Sequence, residues 1–291
     1  MTAITHELTL ANAVVALRKA RHQCADVTDN PRMNSRHDQH RPDQRPSTHQ
    51  SAVFHGFEPL DANYVYCPNQ FFDVCLPNCS RGAVRIVAYI LRQTLGWLDS
   101  EGNPRQQEIR VTFQDLINRA GVSRGAITPA LKEAVAEGFI EQRQAAHPKS
   151  AGKPGQSAAY ALRWGPGREY VRQVAAFSGF FTGEGHRTPV PNAFFDQIVP
   201  RETLAVVKVV GTVLRHTVGY QNQFGGRRSS APLSFSRIQQ YSHLSDRSTL
   251  SDAIRIARQA GYLECTEAGL FSPDRSEQRT ASYGVRWLTK T

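Results

Sequence analysis

The sequence lacks several features that would direct it to a membrane, an export pathway or a metal. No apolar run approaches the roughly 20 residues that a membrane span needs, which excludes an integral membrane protein. The first residues show no basic segment ahead of an apolar core and no small-residue cleavage site, so we expect a cytoplasmic protein. The five cysteines are odd in number and irregularly spaced, which argues against a disulfide framework. Cys75 and Cys79 have no second pair with zinc-ligand spacing, so we expect no metal.

Sequence patterns of catalysis are also missing. There is no GxxxxGK[ST] phosphate loop, and the glycines around Lys153 lack both that spacing and a following helix. There is no His-hydrophobe-His motif of the kind that nicking enzymes use, and no carboxylate pair or Ser/His/Asp set can be localised. We therefore expect a protein that is not an enzyme and needs no cofactor.

Lysine is scarce, and the basic charge is almost all arginine. Six lysines accompany 29 arginines, and the 35 basic residues exceed the 25 acidic ones to leave a net charge of +10. The excess is greatest in residues 186–291, which carry 14 basic and 8 acidic residues. A polyanionic partner is a natural expectation for such a chain. The hydrophobic fraction of 40% is sufficient for packed cores.

The N-terminal 60 residues differ from the rest in composition. Residues 1–22 contain a segment, 5–22, with helical spacing of apolar residues, and we interpret it as a helix that docks on a partner protein or on another copy of the protein. Packing on its own domain is the alternative. Residues 23–60 are rich in polar residues and proline, and we interpret them as a disordered linker.

An internal repeat organises the remaining chain. CPNQFFDVCL at 67–76 recurs as VPNAFFDQIV at 190–199, YILRQTLGW at 89–97 recurs as TVLRHTVGY at 212–220, and SAAYALRW at 157–164 recurs as TASYGVRW at 280–287. All three blocks keep an offset of 123 residues, which is the sign of a duplicated unit. We therefore expect one domain at 61–166, a connector at 167–185 and a second domain at 186–291.

Each copy shows the same predicted order of elements. Apolar spacing predicts first helices over 81–97 and 201–218, followed by polar loops and short strands at 109–111 and near 233. Two helices separated by a tight turn follow in each copy, over 113–120 and 123–137, and over 235–242 and 245–259. Ser123 and Ser245 are the expected N-caps. A glycine then ends each second helix, and a β-hairpin closes each copy with strands at 158–164 and 281–287.

This order is that of a winged helix-turn-helix domain. The predicted fold class is α+β, mostly α, with tandem winged helix-turn-helix domains. The run from Val111 to Ile140 resembles the winged-helix segment of bacterial transcription regulators. Together with the PNQFFD and LRQTLGW blocks, it resembles more specifically the N-terminal DNA-binding domain of phage replication protein O and of related plasmid or phage replication initiators. The resemblance covers about 100 residues of each copy. Since replication protein O recruits a helicase, the resemblance implies a replicative helicase as the protein partner of the predicted helix at 5–22.

The winged-helix reading predicts which side chains meet DNA, because a recognition helix presents its N-terminal half to the major groove and a hairpin wing meets the flanking phosphates. We expect the second copy to read sequence and the first to contribute more to positioning. Pro129 is expected to kink or restart the first recognition helix. The expected DNA-binding residues of the first copy are Ser123, Arg124, Thr128, Lys132, His147, Lys149 and Lys153. Those of the second copy are Arg227, Arg228, Ser245, Arg247, Ser248, Thr249, Ser251, Arg255, Arg275 and Arg279.

Aromatic residues recur in register between the copies, and we expect them to pack in the core rather than to stack on bases. They are Phe71, Phe72, Trp97, Trp164, Phe194, Phe195, Tyr220 and Trp287.

These expectations converge on a sequence-specific protein that binds double-stranded DNA and initiates replication of a plasmid or phage at its origin. A transcription repressor or autoregulator with the same tandem fold is the alternative, and a structural use of winged helices in protein contacts is a third possibility.

Overall fold

The structure, a computed structural model, describes residues 54–150, 154–167, 169–270, 272–274 and 276–288. The predicted helix at 5–22 and the predicted linker up to residue 53 lie outside the described residues. Within the described part of the chain, no helix combines the length and apolar character needed to cross a lipid bilayer.

The first repeat has the predicted order of elements. Strand β1, Tyr64–Pro68, leads into a π-helical turn, Phe71–Cys75, that continues as one α-helical turn, Leu76–Asn78. The π-helical and α-helical turns together are called the lead-in helix. The other elements are α1 (Arg81–Leu95), β2 (Glu108–Arg110), α2 (Phe113–Asn118), α3 (Ile127–Ala136), β3 (Ile140–Gln144) and β4 (Ala159–Leu162).

The second repeat follows the same order. Its lead-in helix comprises Phe194–Ile198 and Val199–Arg201. Its other elements are β5 (Arg187–Pro191), α4 (Leu204–His216), β6 (Ser230–Pro232), α5 (Phe235–Ser242), α6 (Arg247–Gln259), β7 (Leu263–Glu267) and β8 (Ser282–Val285). Each repeat builds a three-stranded antiparallel sheet, in the orders β2-β4-β3 and β6-β8-β7. The chain is thus of mixed α and β structure, with small antiparallel sheets.

The two predicted serine caps are wrong. Ser123 precedes a 3-10 turn, Arg124–Ala126, and its side chain accepts no capping hydrogen bond. In the second repeat the cap is Asp246, whose carboxylate accepts from the backbone N–H of Thr249, and α6 begins one residue later. A carboxylate at this position also interacts favourably with the positive end of the helix dipole, which explains why Asp246 takes the cap in place of Ser245.

The helical segment that contains Pro129 begins as a 3-10 turn, Arg124–Ala126, and becomes α-helical two residues before the proline. The 3-10 turn occupies the region where α-helix was predicted from residue 123, and the α-helix begins only at Ile127. Pro129 therefore lies in the first turn of α3, where its missing N–H has no intrahelical acceptor to lose.

The two repeats are joined by a short sheet that has internal two-fold symmetry. Strand β1 pairs with β5 in antiparallel fashion, and Tyr66 lies opposite Pro189, its own counterpart at the offset of 123. The remaining pairs are symmetric about this one, since Tyr64 faces Pro191 and Pro68 faces Arg187. An approximate two-fold axis, the pseudo-dyad, therefore passes between Tyr66 and Pro189.

The core crosses this axis. Phe71 contacts Phe195 with ring centroids 6.0 Å apart, and Phe72 contacts Phe194 at 6.1 Å. These four rings are all buried, as predicted, and each pair is the symmetry mate of the other. The described residues of both repeats consequently belong to one compact unit, which spans residues 53–291.

The segment before each repeat also crosses to the other repeat. The backbone N–H of Phe57 donates to the carbonyl of Arg286 at 2.7 Å, and that of Phe180 donates to the carbonyl of Arg163 at 2.8 Å. Both phenylalanines are fully buried. Residues 54–60, which were predicted as the end of a disordered linker, are therefore ordered structure, and the repeated unit begins before residue 61.

Candidate nucleic-acid interface

Reciprocal ion pairs join the lead-in helix of each repeat to the first helix of the other repeat. Arg215 of the second repeat bonds Asp73 of the first, with Nε 3.0 Å from Oδ1, and Arg92 of the first repeat bonds Asp196 of the second, with Nη2 3.1 Å from Oδ2. Both arginines are nine-tenths buried. The hydroxyl of Tyr170 also donates to Asp73, at 2.7 Å. Burial raises the pKa of Tyr170, and the negative charge of the Asp73 carboxylate raises it further. The four charged residues form two pairs at the offset of 123.

A second reciprocal contact lies at the start of each first helix. Arg85 donates from Nε to the carbonyl of Val199 at 3.0 Å, and its counterpart Lys208 donates from Nζ to the carbonyl of Pro77 at 2.9 Å. Each buried cation thus satisfies a carbonyl in the lead-in helix of the opposite repeat, where helical carbonyls lack intrahelical partners. Burial lowers the pKa of both cations.

The turns that precede α3 and α6 each rest on the lead-in helix of the opposite repeat. Gly121 has φ of +70°, and a Cβ there would lie 2.2 Å from the carbonyl oxygen of Pro200. In the second repeat His243 occupies the same turn with φ of +53°, and its Nδ1 lies 3.1 Å from Oδ1 of Asn78. The pseudo-dyad therefore fixes the positions of both turns, and through them of α3 and α6.

The predicted recognition residues of the first repeat are all on the surface. Ser123, Arg124, Thr128 and Lys132 are exposed, while Ile127 on the opposite side is fully buried. Arg124 lies in the 3-10 turn, and Thr128 and Lys132 follow it at intervals of four residues on α3.

The second recognition segment presents the same chemistry. Arg247, Ser251 and Arg255 are exposed at intervals of four residues along α6. The guanidinium of Arg247 lies 5.7 Å from the ring centroid of Phe235, and Arg255 pairs with Asp252 at 3.0 Å. These three residues are the counterparts, at the offset of 123, of Arg124, Thr128 and Lys132. Each repeat thus displays a basic side chain, a hydroxyl side chain and a second basic side chain in a row. We call these two rows, Arg124/Thr128/Lys132 and Arg247/Ser251/Arg255, the recognition rows.

Two other predicted contacts on α6 are engaged within the protein. Asp246 accepts hydrogen bonds from the hydroxyls of Ser248 and Thr249, both at 2.6 Å. These bonds hold the pKa of Asp246 well below its usual range. Ser248 and Thr249 are exposed, but their hydroxyl protons already have an acceptor. Ser245 is exposed too, and its carbonyl accepts from Gln239 at 2.8 Å.

The closing hairpins carry exposed cations at their outer ends. His147 pairs with Gln156 through two backbone hydrogen bonds of 2.8 Å, and Lys149 follows it in the loop. Arg279 pairs in the same way with Leu270, with two bonds of 3.0 Å. The side chains of His147, Lys149 and Arg279 are all exposed. Lys153 and Arg275 lie outside the described residues.

The arginines of the loop after α4 are less available than predicted. Arg227 donates from Nη1 to the carbonyl of Val218 at 2.5 Å, so its guanidinium braces the loop. Arg228 is exposed and lies 4.6 Å from the ring centroid of Tyr220.

Three aromatic residues expected in the core are instead exposed. Trp97 is 53% exposed, Tyr220 40% and Trp164 36%. Each lies beside a guanidinium, from Arg92, Arg215 and Arg187 respectively, at 5.3–5.6 Å from the ring centroid. Since a cation over an aromatic face is favourable even near solvent, these rings are held at the surface and do not enter the core.

Sequence reasoning missed the contacts that cross the pseudo-dyad. One sequence signal could have revealed part of them, because FHGF at 54–57 recurs as FSGF at 177–180, again at the offset of 123. The glycines of these two blocks have φ of +142° and +149°. No pattern within one repeat could identify the Asp73–Arg215 pair, because its partners come from different copies.

Comparisons of the chain with protein-family models, with curated proteins and with solved structures find no match. Among the described residues, no three His, Cys, Asp or Glu side chains are grouped so as to hold a metal ion.

Proposed function

We propose that this protein binds double-stranded DNA through two winged helix-turn-helix units and marks a replication origin of a plasmid or phage. The observation that carries the proposal is the pair of recognition rows, Arg124/Thr128/Lys132 and Arg247/Ser251/Arg255, exposed on equivalent segments of the two repeats. Arginine and lysine are the side chains that most often hydrogen-bond guanine edges and phosphates, and hydroxyl side chains can form hydrogen bonds with base edges as donors or acceptors.

The order of elements supports this assignment. In each repeat a first helix and a short strand come before two helices that are joined by a turn, and a hairpin comes last. This is the order of elements in a winged helix. Exposed cations on the hairpins, among them Lys149 and Arg279, suit contacts with phosphates beside the groove. A net charge of +10 favours a polyanion in general, and the rows favour duplex DNA in particular.

Initiation of replication is favoured over other DNA-binding roles by the lead-in blocks. PNQFFD and LRQTLGW resemble those of phage replication protein O, and both blocks recur in the second repeat. Transcription repression is the second candidate, and the pseudo-dyad favours it, because operator-binding proteins use two-fold related recognition helices on palindromic sites.

Selection of duplexes from a random-sequence pool by the full chain tests the DNA-binding part of the proposal. We expect enrichment of one sequence motif and an affinity that falls steeply with salt, by about one unit of log–log slope for each phosphate contact. Failure to retain any duplex at low salt would refute DNA binding, whereas retention without an enriched motif would refute sequence-specific recognition.

A further inference from the structure

The loops after the first helices of the two repeats end in matching tight turns. In the first repeat the carboxylate of Asp99 accepts from the backbone N–H groups of Glu101 and Asn103, both at 2.9 Å. In the second the amide oxygen of Asn222 accepts from those of Phe224 and Gly226, at 3.0 and 2.8 Å. The two turns are equivalent at the offset of 123. We call the residues 97–105 tip 1 and the residues 220–228 tip 2.

The same backbone presents opposite chemistry at the two tips. The third residue of the turn is Glu101 in tip 1 and Phe224 in tip 2, and Phe224 is 85% exposed. The following glycine has φ of +83° in both, so the geometry that projects the third residue is shared. Tip 2 carries two arginines, Arg227 and the exposed Arg228, and no acidic residue. Tip 1 carries the exposed Asp99 and Glu101 and one arginine, Arg105, whose Nε donates to the carbonyl of Leu98 at 2.9 Å.

Both tips expose apolar surface beside their charges. Trp97 and Leu98 of tip 1 are 53% and 43% exposed, and Tyr220 of tip 2 is 40% exposed next to Phe224. Phe224 lies on a turn held by hydrogen bonds, and covering such an exposed aromatic ring with a partner is favourable because it removes apolar surface from water. A partner for tip 2 needs an apolar platform and a negative charge, and tip 1 provides both.

We propose that tip 2 of one copy docks on tip 1 of a second copy, with Phe224 against Trp97 and Leu98, and Arg228 beside Glu101. The contact joins two different surfaces, so a pair of copies keeps one free tip 1 and one free tip 2, to which further copies can bind. The protein would thereby assemble head to tail, which brings several copies together without any change in the recognition rows. Small interfaces of this kind are weak. A scaffold that holds copies side by side raises their effective concentration and so favours the contact.

Charge reversal at the tips tests this contact on the full chain in the absence of DNA, so its outcome does not depend on the proposed function. Sedimentation of the wild type over a wide concentration range should show reversible association. Glu101→Arg alone and Arg228→Glu alone should each shift the protein towards monomer, and an equimolar mixture of the two variants should associate again, since opposite charges then face each other at both contacts. Both side chains are exposed, so we expect the variants to fold, which circular dichroism would check.

Phe224→Ser supplies a test that does not involve charge. We expect it to weaken association at least tenfold and to leave the affinity for a single duplex site unchanged. A monomeric wild type at every concentration, or association that neither charge reversal alters, would overturn the proposal. Loss of single-site duplex affinity in Phe224→Ser would also overturn it, because it would assign the tip to DNA.

Discussion

The guanidinium of Arg215 in the second repeat bonds the carboxylate of Asp73 in the first, and the pair is enclosed on both sides, with only 10% and 17% of the two side chains exposed. Its symmetry mate joins Arg92 to Asp196, but there the carboxylate side chain is 45% exposed. The two pairs share their chemistry and differ in how far water reaches them.

This difference predicts unequal costs when each carboxylate is removed. Asp73→Ala leaves a buried guanidinium and the Tyr170 hydroxyl without their acceptor, and we expect a loss of about 3 kcal/mol in the free energy of unfolding. Asp196→Ala should cost only about 1 kcal/mol, because water can reach the site. Urea unfolding of both variants measures this, and equal losses would mean that burial of the pair is not what matters.

Replacement of Gly121 by alanine should weaken the contact between the repeats. The new Cβ would overlap the Pro200 carbonyl, and φ of +70° is itself strained for alanine, so we expect a loss of about 1–3 kcal/mol in the free energy of unfolding. Gly125→Ala is the matched control, because no atom lies within 4 Å of the position of its Cβ and its φ is not in the left-handed region. A Gly125 variant as unstable as the Gly121 variant would count against this explanation.

His216 should make the stability of the fold depend on pH. Burial lowers its pKa from the ordinary 6.5, its Nδ1 lies 2.8 Å from the carbonyl of Thr212, and its ring packs 4.1 Å from that of Tyr241. Above pH 6.5 the imidazole is neutral in both states and contributes no difference. Below pH 6.5 the unfolded chain takes up a proton that the folded chain resists, so stability falls as the pH decreases.

His216→Gln should reduce this pH dependence, and the first repeat carries glutamine at the equivalent position, Gln93. We expect the difference in unfolding free energy between pH 7.5 and pH 5.5 to shrink but not vanish, since burial also lowers the pKa of His243. Unfolding curves at the two pH values provide the measurement. An unchanged difference would show that His216 titrates normally in the folded chain.

Replication and repression make different predictions in the cell. If the chain marks an origin, deleting its gene from a minimal replicon should abolish maintenance, and supplying the protein in trans should restore it. Normal copy number without the gene would refute the initiator role. Repression of the gene's own promoter, measured with a reporter in the same strain, would then support the second candidate.

Much of the fold could be predicted because its signals are local or repeated. Helical spacing and the glycines at 138 and 261, with φ of +78° and +77°, correctly located the C-terminal ends of α3 and α6, although both helices begin later than predicted. The choice between Ser245 and Asp246 as a cap was decided by hydrogen-bond geometry within three residues, which composition does not specify. The pairing of Asp73 with Arg215 could not be predicted, because it depends on a contact between the two repeats that the sequence of neither repeat alone specifies.

The most direct test of DNA recognition by the recognition rows compares Arg247→Ala with Arg163→Ala on the selected duplex and on a scrambled one. The two variants lose the same charge, and Arg163 is exposed just after β4, at the end of the hairpin opposite its loop. We predict that Arg247→Ala lowers affinity for the selected duplex by about 1–3 kcal/mol more than for the scrambled duplex, and that Arg163→Ala lowers both little and equally. An Arg247→Ala variant that still discriminates between the two duplexes as the wild type does would contradict the account.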